Sequence, residues 1–464
     1  MIDSLIDSLK KQLPGLEPKT AEEKEQYRYI TLQIPITESI PLLAVNIDQS
    51  FLLTKPNSNF SLLGLGALLT FESAGEKRFD HIKSDYCQLL EHWKSDAQDL
   101  PTAFLAFAFD ENDPMTDNWQ AFPNTILTIP VILIKQYHSS QTLLVNIDLR
   151  QSCYDNSFEH IKALLVKYLE LLQKSELNSA NVVTVKNNIA PSYADKNSWQ
   201  TLSDSAIAQI HSGKFDKLVT SRRHSLQTGK ALSVTQLTRK LSKHYPGCTI
   251  LSYHLSGTHI ISASPERLLS LQHPNIESDA IGGTILRNDN ASLPLLLQQP
   301  LLEMQTGTVH GQKLLKEHAF IVEDIYQRLA PLCSTLKVPV TPFLMKLHNL
   351  YHLESTLAGK LHNDCGLFDI IGALHPTPAV AGFPAQPAKQ WLLNNENYHR
   401  GWYTGAFGWI DGQHNGELSV MLRCALFKDT QVDLFAGAGL VAESDPEIEW
   451  QETEIKMQTI LEML

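Results

Sequence analysis

The sequence predicts an α+β protein folded as one large domain. Three observations predict it. Strand-length apolar runs and segments with helical spacing both recur along the 464 residues. A chain this long can bury a large core, as one big domain or as two to three smaller ones. A polar stretch, Asn178 to Trp199 with Asn187, Asn188 and Pro191, divides it into halves 1–185 and 200–464. The apolar strands before that stretch have no evident core of their own, so it reads as a connector and not as a domain boundary.

Composition excludes several classes. With 43% hydrophobic and 19% charged residues the chain reads as soluble and globular. A net charge of −12 argues against nucleic acid and anionic membranes as partners. It leaves room for a small anionic substrate in a locally positive pocket. The cysteines Cys87, Cys153, Cys248, Cys333, Cys365 and Cys424 are scattered, with no CxxC and no metal-ligand spacing, as expected of reduced thiols. No apolar run reaches the roughly 18–20 residues that span a bilayer. The N-terminal stretch carries Ile2, Leu5, Ile6 and Leu9 at helical spacing with acids between them, and it lacks signal-peptide chemistry. A cytoplasmic protein is the expectation.

Taken in order, Tyr29–Pro35 and Pro41–Ile47 read as strands, and Phe60–Phe71, with Gly64 and Gly66, as a glycine-punctuated hairpin region. Phe79–Trp93 has helical spacing. Phe104–Asp110, Ile126–Lys135 and Leu143–Leu149 are strand-length apolar runs, and Ser157–Leu177 reads as a helix. No cluster in this half has the composition of a reaction centre, so it reads as scaffold.

The second half is chemically richer. A helix over Trp199–Ser212 leads into a strand that opens at Lys217, where alternation puts Lys217, Val219 and Ser221 on one face. Burying that ammonium would pull its pKa down and make it a usable base; otherwise it snorkels to solvent. Ile250–Leu255 and His259–Ala263 suit a hairpin around Ser256-Gly257. Glu266 follows a strand end. It is either an acid kept protonated by apolar surroundings or a salt-bridge partner of Arg267.

Gly282-Gly283-Thr284 reads as a short turn, and Asn288–Gln312 as an irregular excursion or lid. Lys313–Leu329 is a helix with Leu314, Ile321, Ile325 and Leu329 on its apolar face and Glu317 at the edge. Leu350–Ser355 precedes a polar turn, then a helix over Gly366–Leu374 and the rigid His375–Gly382 segment. His352 and His375 fit core histidines, since no HxH or HExxH spacing supports a metal triad. Gly401–Ile410 reads as a strand answered by Glu417–Leu426, on which Arg423 offers a bidentate carboxylate clamp or a structural ion pair.

The C-terminal stretch has three parts. Ala436-Gly437-Ala438-Gly439 reads as a glycine-bracketed turn with backbone N–H groups on offer. Ser444-Asp445-Pro446 carries helix-start chemistry. In the helix that follows, Glu449, Glu452 and Lys456 share one narrow stripe, apart from the apolar stripe of Trp450, Met457, Leu461 and Leu464. This stripe is either a cleft edge or a surface i,i+4 pair worth ~0.2–0.5 kcal/mol.

Taken together, these pieces resemble the chorismate-utilising enzymes. The ordered set is DKLVTSR, SPERLL, GGT, KEH with IVEDI, YHLES, HPTPAVAG, YTGAFGWID with LRCAL, and AGAGLVAESDPEIEWQETEIKM. It spans about residues 200–464, and the first half resembles the family only loosely. The resemblance implies one domain with a four-layer α/β/β/α core. It implies Lys217 as the base that activates water and Glu266 as the acid. It implies Mg²⁺ on Glu317 and Glu452, with Glu449 close by. Tyr403, Arg423, Lys456, Gly437, Ala438 and Gly439 would hold substrate carboxylates, and Gly283, Thr284, His352 and Ala379 would line the pocket.

Ammonia-using, anthranilate-forming relatives have glutamine at Lys217, and pyruvate-eliminating relatives have threonine at Ala379. The wording RGWYTGAFGWID and SDPEIEWQE is most similar to the isochorismate synthases of menaquinone synthesis. The implied reaction is therefore chorismate to isochorismate. The alternatives are a salicylate or aminodeoxychorismate synthase and, third, a non-catalytic chorismate-binding relative. No glutaminase subunit is expected, and the protein is expected to be a monomer or a weak homodimer. Leu314 stands where some relatives carry an extra carboxylate.

Overall fold

The apolar runs pair into one continuous, mainly antiparallel hydrogen-bonded network with two arms. The computed structural model describes residues 2–12, 26–36, 38–94, 100–149, 154–178, 193–229, 231–286, 309–346 and 350–464. One arm runs in space from Tyr29–Ile34 through Ser140–Asp148, Thr125–Tyr137, Phe60–Ser73, Ser50–Lys55, Thr249–Leu255, Thr258–Ser264, Cys424–Lys428 and Gln431–Leu440 to Lys217–Gln227. The other leaves Thr125–Tyr137 through Thr102–Phe107 and continues by Ala406–Asp411, Gly416–Val420, Arg267–Gln272 and Asn275–Leu286 to Leu350–Leu361. The strand Thr125–Tyr137 serves both arms: one edge pairs with Phe60–Ser73 along its length, and the other with Thr102–Phe107 over 125–128 and with Ser140–Asp148 over 132–137.

The arms pack face to face. Phe51, Phe104, Tyr253, Trp402, Phe407 and Phe435 fill the space between them. Their rings meet in stacked and edge-on contacts, such as Phe51 on Tyr253 at 4.4 Å and Tyr253 on Trp402 at 5.1 Å. Helices cover both outer faces. Ile2–Gln12, Tyr154–Asn178, Val234–His244 and Pro446–Leu461 pack on one side, and Arg78–Glu91, Val309–Leu329 and Leu367–Leu374 on the other. The result is the expected α+β fold with four layers, α/β/β/α.

The two halves of the chain are sewn together at two ladders. Ser50–Lys55 pairs with Thr249–Leu255, and Thr102–Phe107 with Ala406–Asp411. No described helix is long and apolar enough to cross a membrane, and the cysteines among the described residues are free.

Several local expectations change. Pro41–Ile47 is not a strand. Side chains take backbone groups there in place of a ladder: Thr235 donates to the Ala44 carbonyl and Ser50 to that of Val45, while just before the segment Gln141 pairs with both backbone groups of Ile40. Phe60–Ser73 is one long strand; its register shifts at a bulge between Ala67 and Leu69, just after Gly66 at φ +67°, and its hairpin partner is the preceding Ser50–Lys55. Gly282-Gly283-Thr284 is likewise a bulge inside the strand Asn275–Leu286 and not a turn. Ala436–Gly439 is also not a turn, since it extends the strand Gln431–Leu440 against Lys217–Gln227. Most of the Asn288–Gln312 excursion lies outside the described residues.

Candidate active site

Most of the predicted site residues converge from separate elements on one cavity. Lys217 opens its strand and is buried, with only 1% of its surface exposed. Its Nζ lies 2.9 Å from Glu317 Oε1, which projects from the helix Val309–Leu329. The buried lysine thus has a carboxylate partner, which the strand's alternation alone did not reveal.

The C-terminal helix begins as its sequence requires. Asp445 caps it, accepting from the N–H groups of Glu447 and Ile448, and Pro446 takes the first helical position. Trp450, Met457 and Ile460 are buried. The stripe beside them turns inward. Lys456 Nζ lies 2.6 Å from Glu452 and donates to the Gly437 carbonyl at 2.9 Å.

That carbonyl is available for a structural reason. The neighbouring strand Cys424–Lys428 pairs only as far as Phe435, so Ala436–Leu440 has a ladder on one side alone. Opposite Gly437 the Ser221 N–H goes to Glu396, and opposite Gly439 the Val219 N–H goes to Ala381 and its carbonyl to Arg400. Both glycines therefore turn their backbone groups away from the Lys217 strand and toward the cavity. Ala438, between them, points the other way and packs with Trp199 and Trp450. A Cβ at Gly439 would lie 2.8 Å from both Glu317 Oε1 and Lys217 Cε. Glycine there lets the Lys217–Glu317 pair pass over the strand.

Glu266 is buried, and burial pushes its carboxyl up to about 8, with Asp279 adding to the rise and Lys217 and Lys456 opposing it. Arg267, the alternative partner, is turned away onto Asp279 at 2.9 Å and Glu277 at 2.8 Å. On the opposite wall Arg423 Nη2 donates to His352 Nε2 at 3.1 Å. A guanidinium has no acceptor, so the His352 proton belongs on Nδ1, which faces Thr284 Oγ1 at 3.4 Å. Thr284 in turn donates to Glu452 at 3.1 Å. Burial, then the charges of Arg423 and Lys456, hold His352 well below the usual imidazole range and keep it neutral.

These groups line one cavity of about 80 Å³. Every predicted site residue lines it except Ala438 and Glu449. Glu449 lies on the first turn of its helix and accepts from Ser444 Oγ at 2.8 Å. Val219, Val380 and Thr404 also line the cavity and were not singled out from the sequence. For Val219 the signal was present, since alternation placed it on the face of Lys217. Thr404 carried none: it and Arg423 have left-handed backbones, φ +61° and +47°, a strain that only the folded chain displays.

A buried acid, a buried lysine on a carboxylate and a guanidinium converging on one small polar cavity are the parts of an enzyme site for a small anionic substrate. The chain belongs to the chorismate binding enzyme family, whose pattern matches residues 12–464. It is 28% identical to the salicylate biosynthesis isochorismate synthase of Pseudomonas aeruginosa, over 86% of this chain and 82% of that one. It is 26% identical to isochorismate synthase MenF of Bacillus subtilis, over 89% of this chain and 87% of the other. Among solved structures it is similar to MenF, the menaquinone-specific isochorismate synthase of Escherichia coli, with a TM-score of 0.78 at 24% identity, covering 99% of this chain and all of that one.

Proposed function

We propose that the protein is an isochorismate synthase that works with Mg²⁺. Water adds at ring C2 of chorismate, the double bonds shift, and the C4 hydroxyl leaves as water. The observation that carries this reading is the pairing, in one cavity, of a carboxyl protonated near neutral pH with a buried lysine. Lys217 takes the proton of the attacking water. Glu266 gives its proton to the departing hydroxyl. Arg423, Lys456, the Tyr403 hydroxyl and the N–H groups of Gly437 and Gly439 receive the substrate carboxylates.

The residues present fit a magnesium ion. Glu317 and Glu452 bring hard carboxylate oxygens to the cavity wall, and each now carries a lysine ammonium whose charge compensation a cation could take over. No group of three or more His, Cys, Asp or Glu side chains suited to a metal gathers among the described residues. Two carboxylate ligands would leave coordination places to water and to a substrate carboxylate, as Mg²⁺ favours. Glu317 and Glu452 would hold the ion; Glu449 lies outside this ligand set. When bound, the ion supplies charge neutralisation and orientation of the substrate carboxylate.

On this reading residues 200–464 carry the chemistry and residues 1–185 the scaffold. The enzyme needs no glutaminase subunit, acts in the cytoplasm as a monomer or weak homodimer, and feeds menaquinone synthesis. Ala379 lines the cavity where pyruvate-eliminating relatives place threonine, which supports release of isochorismate.

The test is a product assay with chorismate and Mg²⁺ that reads isochorismate, salicylate and pyruvate together, with and without ammonium. Isochorismate alone, lost on adding EDTA and restored by Mg²⁺, is the expected result. Pyruvate in step with an aromatic product would overturn it.

A further inference from the structure

We infer that the buried pair Arg400–Glu396 is the positioning clamp of the cavity, fixing the strand that carries Lys217 against the segments that carry Ala379 and Tyr403. The kinetic part of its test rests on the isochorismate synthase reading; the clamp itself does not. Neither residue lines the cavity. Both side chains are buried, at 2% and 4% exposure, and Arg400 Nη2 lies 2.6 Å from Glu396.

All five guanidinium N–H groups have an acceptor. Nε donates to Glu396 Oε2 at 2.7 Å, and Nη2 to Glu396 Oε1 and, at 2.8 Å, to the Val219 carbonyl. Nη1 donates to the Val380 carbonyl at 2.9 Å and to Thr404 Oγ1 at 3.2 Å. Val219, Val380 and Thr404 all line the cavity, and they come from three separate segments. Glu396 completes the clamp by accepting from Ser221 N–H at 2.9 Å and Ser221 Oγ at 2.8 Å.

The pair stands where a strand is missing. Next to Lys217 and Leu218 the strand has a neighbour, Gly382-Phe383. Beyond them that neighbour ends, and the exposed edge is taken over by the Ala381 carbonyl on Val219 N–H, Arg400 on the Val219 carbonyl and Glu396 on Ser221 N–H. A buried ion pair adds little net stability compared with well-packed apolar side chains. What this one provides is shape: it sets the spacing of Lys217 from Ala379, and it holds Thr404 in its left-handed conformation beside Tyr403.

Arg400→Lys keeps the charge and the ion pair, but an ammonium has three donors where five are used. The expected result is kcat lower by about tenfold or more with KM within about threefold, because misplacement of a reacting group by about an ångström costs far more rate than binding. Amide hydrogen exchange is expected to accelerate at 217–221 and 379–382, and to stay unchanged in the hairpin Thr249–Ser264. Ser221→Ala leaves the Ser221 N–H bond to Glu396 in place but removes the hydroxyl's bonds to Glu396 and Tyr398, and it is expected to show the same pattern more weakly, with kcat down about two- to fivefold.

Wild-type kcat and exchange in both variants would overturn the clamp, as would acceleration spread evenly along the chain. If Arg400→Lys fails to fold, Ser221→Ala decides between the same two patterns. If the wild type itself does not turn chorismate over, the proposed function fails, while the exchange comparison still decides the clamp.

Discussion

Two lysine–glutamate pairs stand in the cavity wall, and they are built differently. Lys456–Glu452 is local, one helical turn apart at 2.6 Å, and both side chains keep some exposure, 17% and 16%. Lys217–Glu317 joins a strand to a distant helix at 2.9 Å, with the lysine side chain only 2% exposed. Any helix that forms presents the first pair. The second exists only when both sheet arms and the outer helix are in place. It reports assembly of the whole site, and its lysine is buried.

The predictions sharpen this contrast, beginning with the largest effect. Lys217→Ala should lower kcat/KM by about 10³–10⁴-fold with the far-UV circular dichroism spectrum unchanged. An equal loss from Lys456→Ala would erase the distinction between the pairs. Glu266→Gln should cost about 10²–10³-fold. In the wild type, kcat/KM should be full below the Glu266 pKa and fall as pH rises through about 8, because the raised carboxyl then loses the proton it must donate. A pH–rate profile of the Gln variant should lack that limb.

Gly439→Ala should cost about 10–100-fold, measured as kcat/KM, since its Cβ would press on both members of the long-range pair at 2.8 Å. Lys456→Ala should have the smallest effect, raising KM for chorismate about tenfold with little change in kcat. A kcat loss exceeding that of Gly439→Ala would show the local pair to be the more demanding one.

The same contrast explains what was legible in the sequence. The stripe Glu449–Glu452–Lys456 followed from helical period alone, and Asp445-Pro446 marked where it begins. Lys217 and Glu317 were each readable as a strand and a helix position, but nothing local joins them; only the resemblance put them together. Glycines were the least legible signal. The glycines around Thr284 and in Ala436–Gly439 suggested turns, whereas they sit in strands, at a bulge and beneath a buried ion pair, because glycine marks close approach as often as reversal. Arg400 gave no sign at all, since a side chain that replaces a missing strand is defined by the edge it caps.

The ladders that sew the halves together also bear on how the chain comes to be folded. Ser50–Lys55 pairs with Thr249–Leu255, and Thr102–Phe107 with Ala406–Asp411. On a ribosome that adds about 5–20 residues per second, the earlier strands wait for their partners to emerge, and closing so long a loop costs entropy before any contact rewards it. Until Ala406–Asp411 is free of the exit tunnel, an apolar edge stands unpaired. The first half therefore behaves as a client awaiting its second half, and the sheet closes only once the later strands have been made.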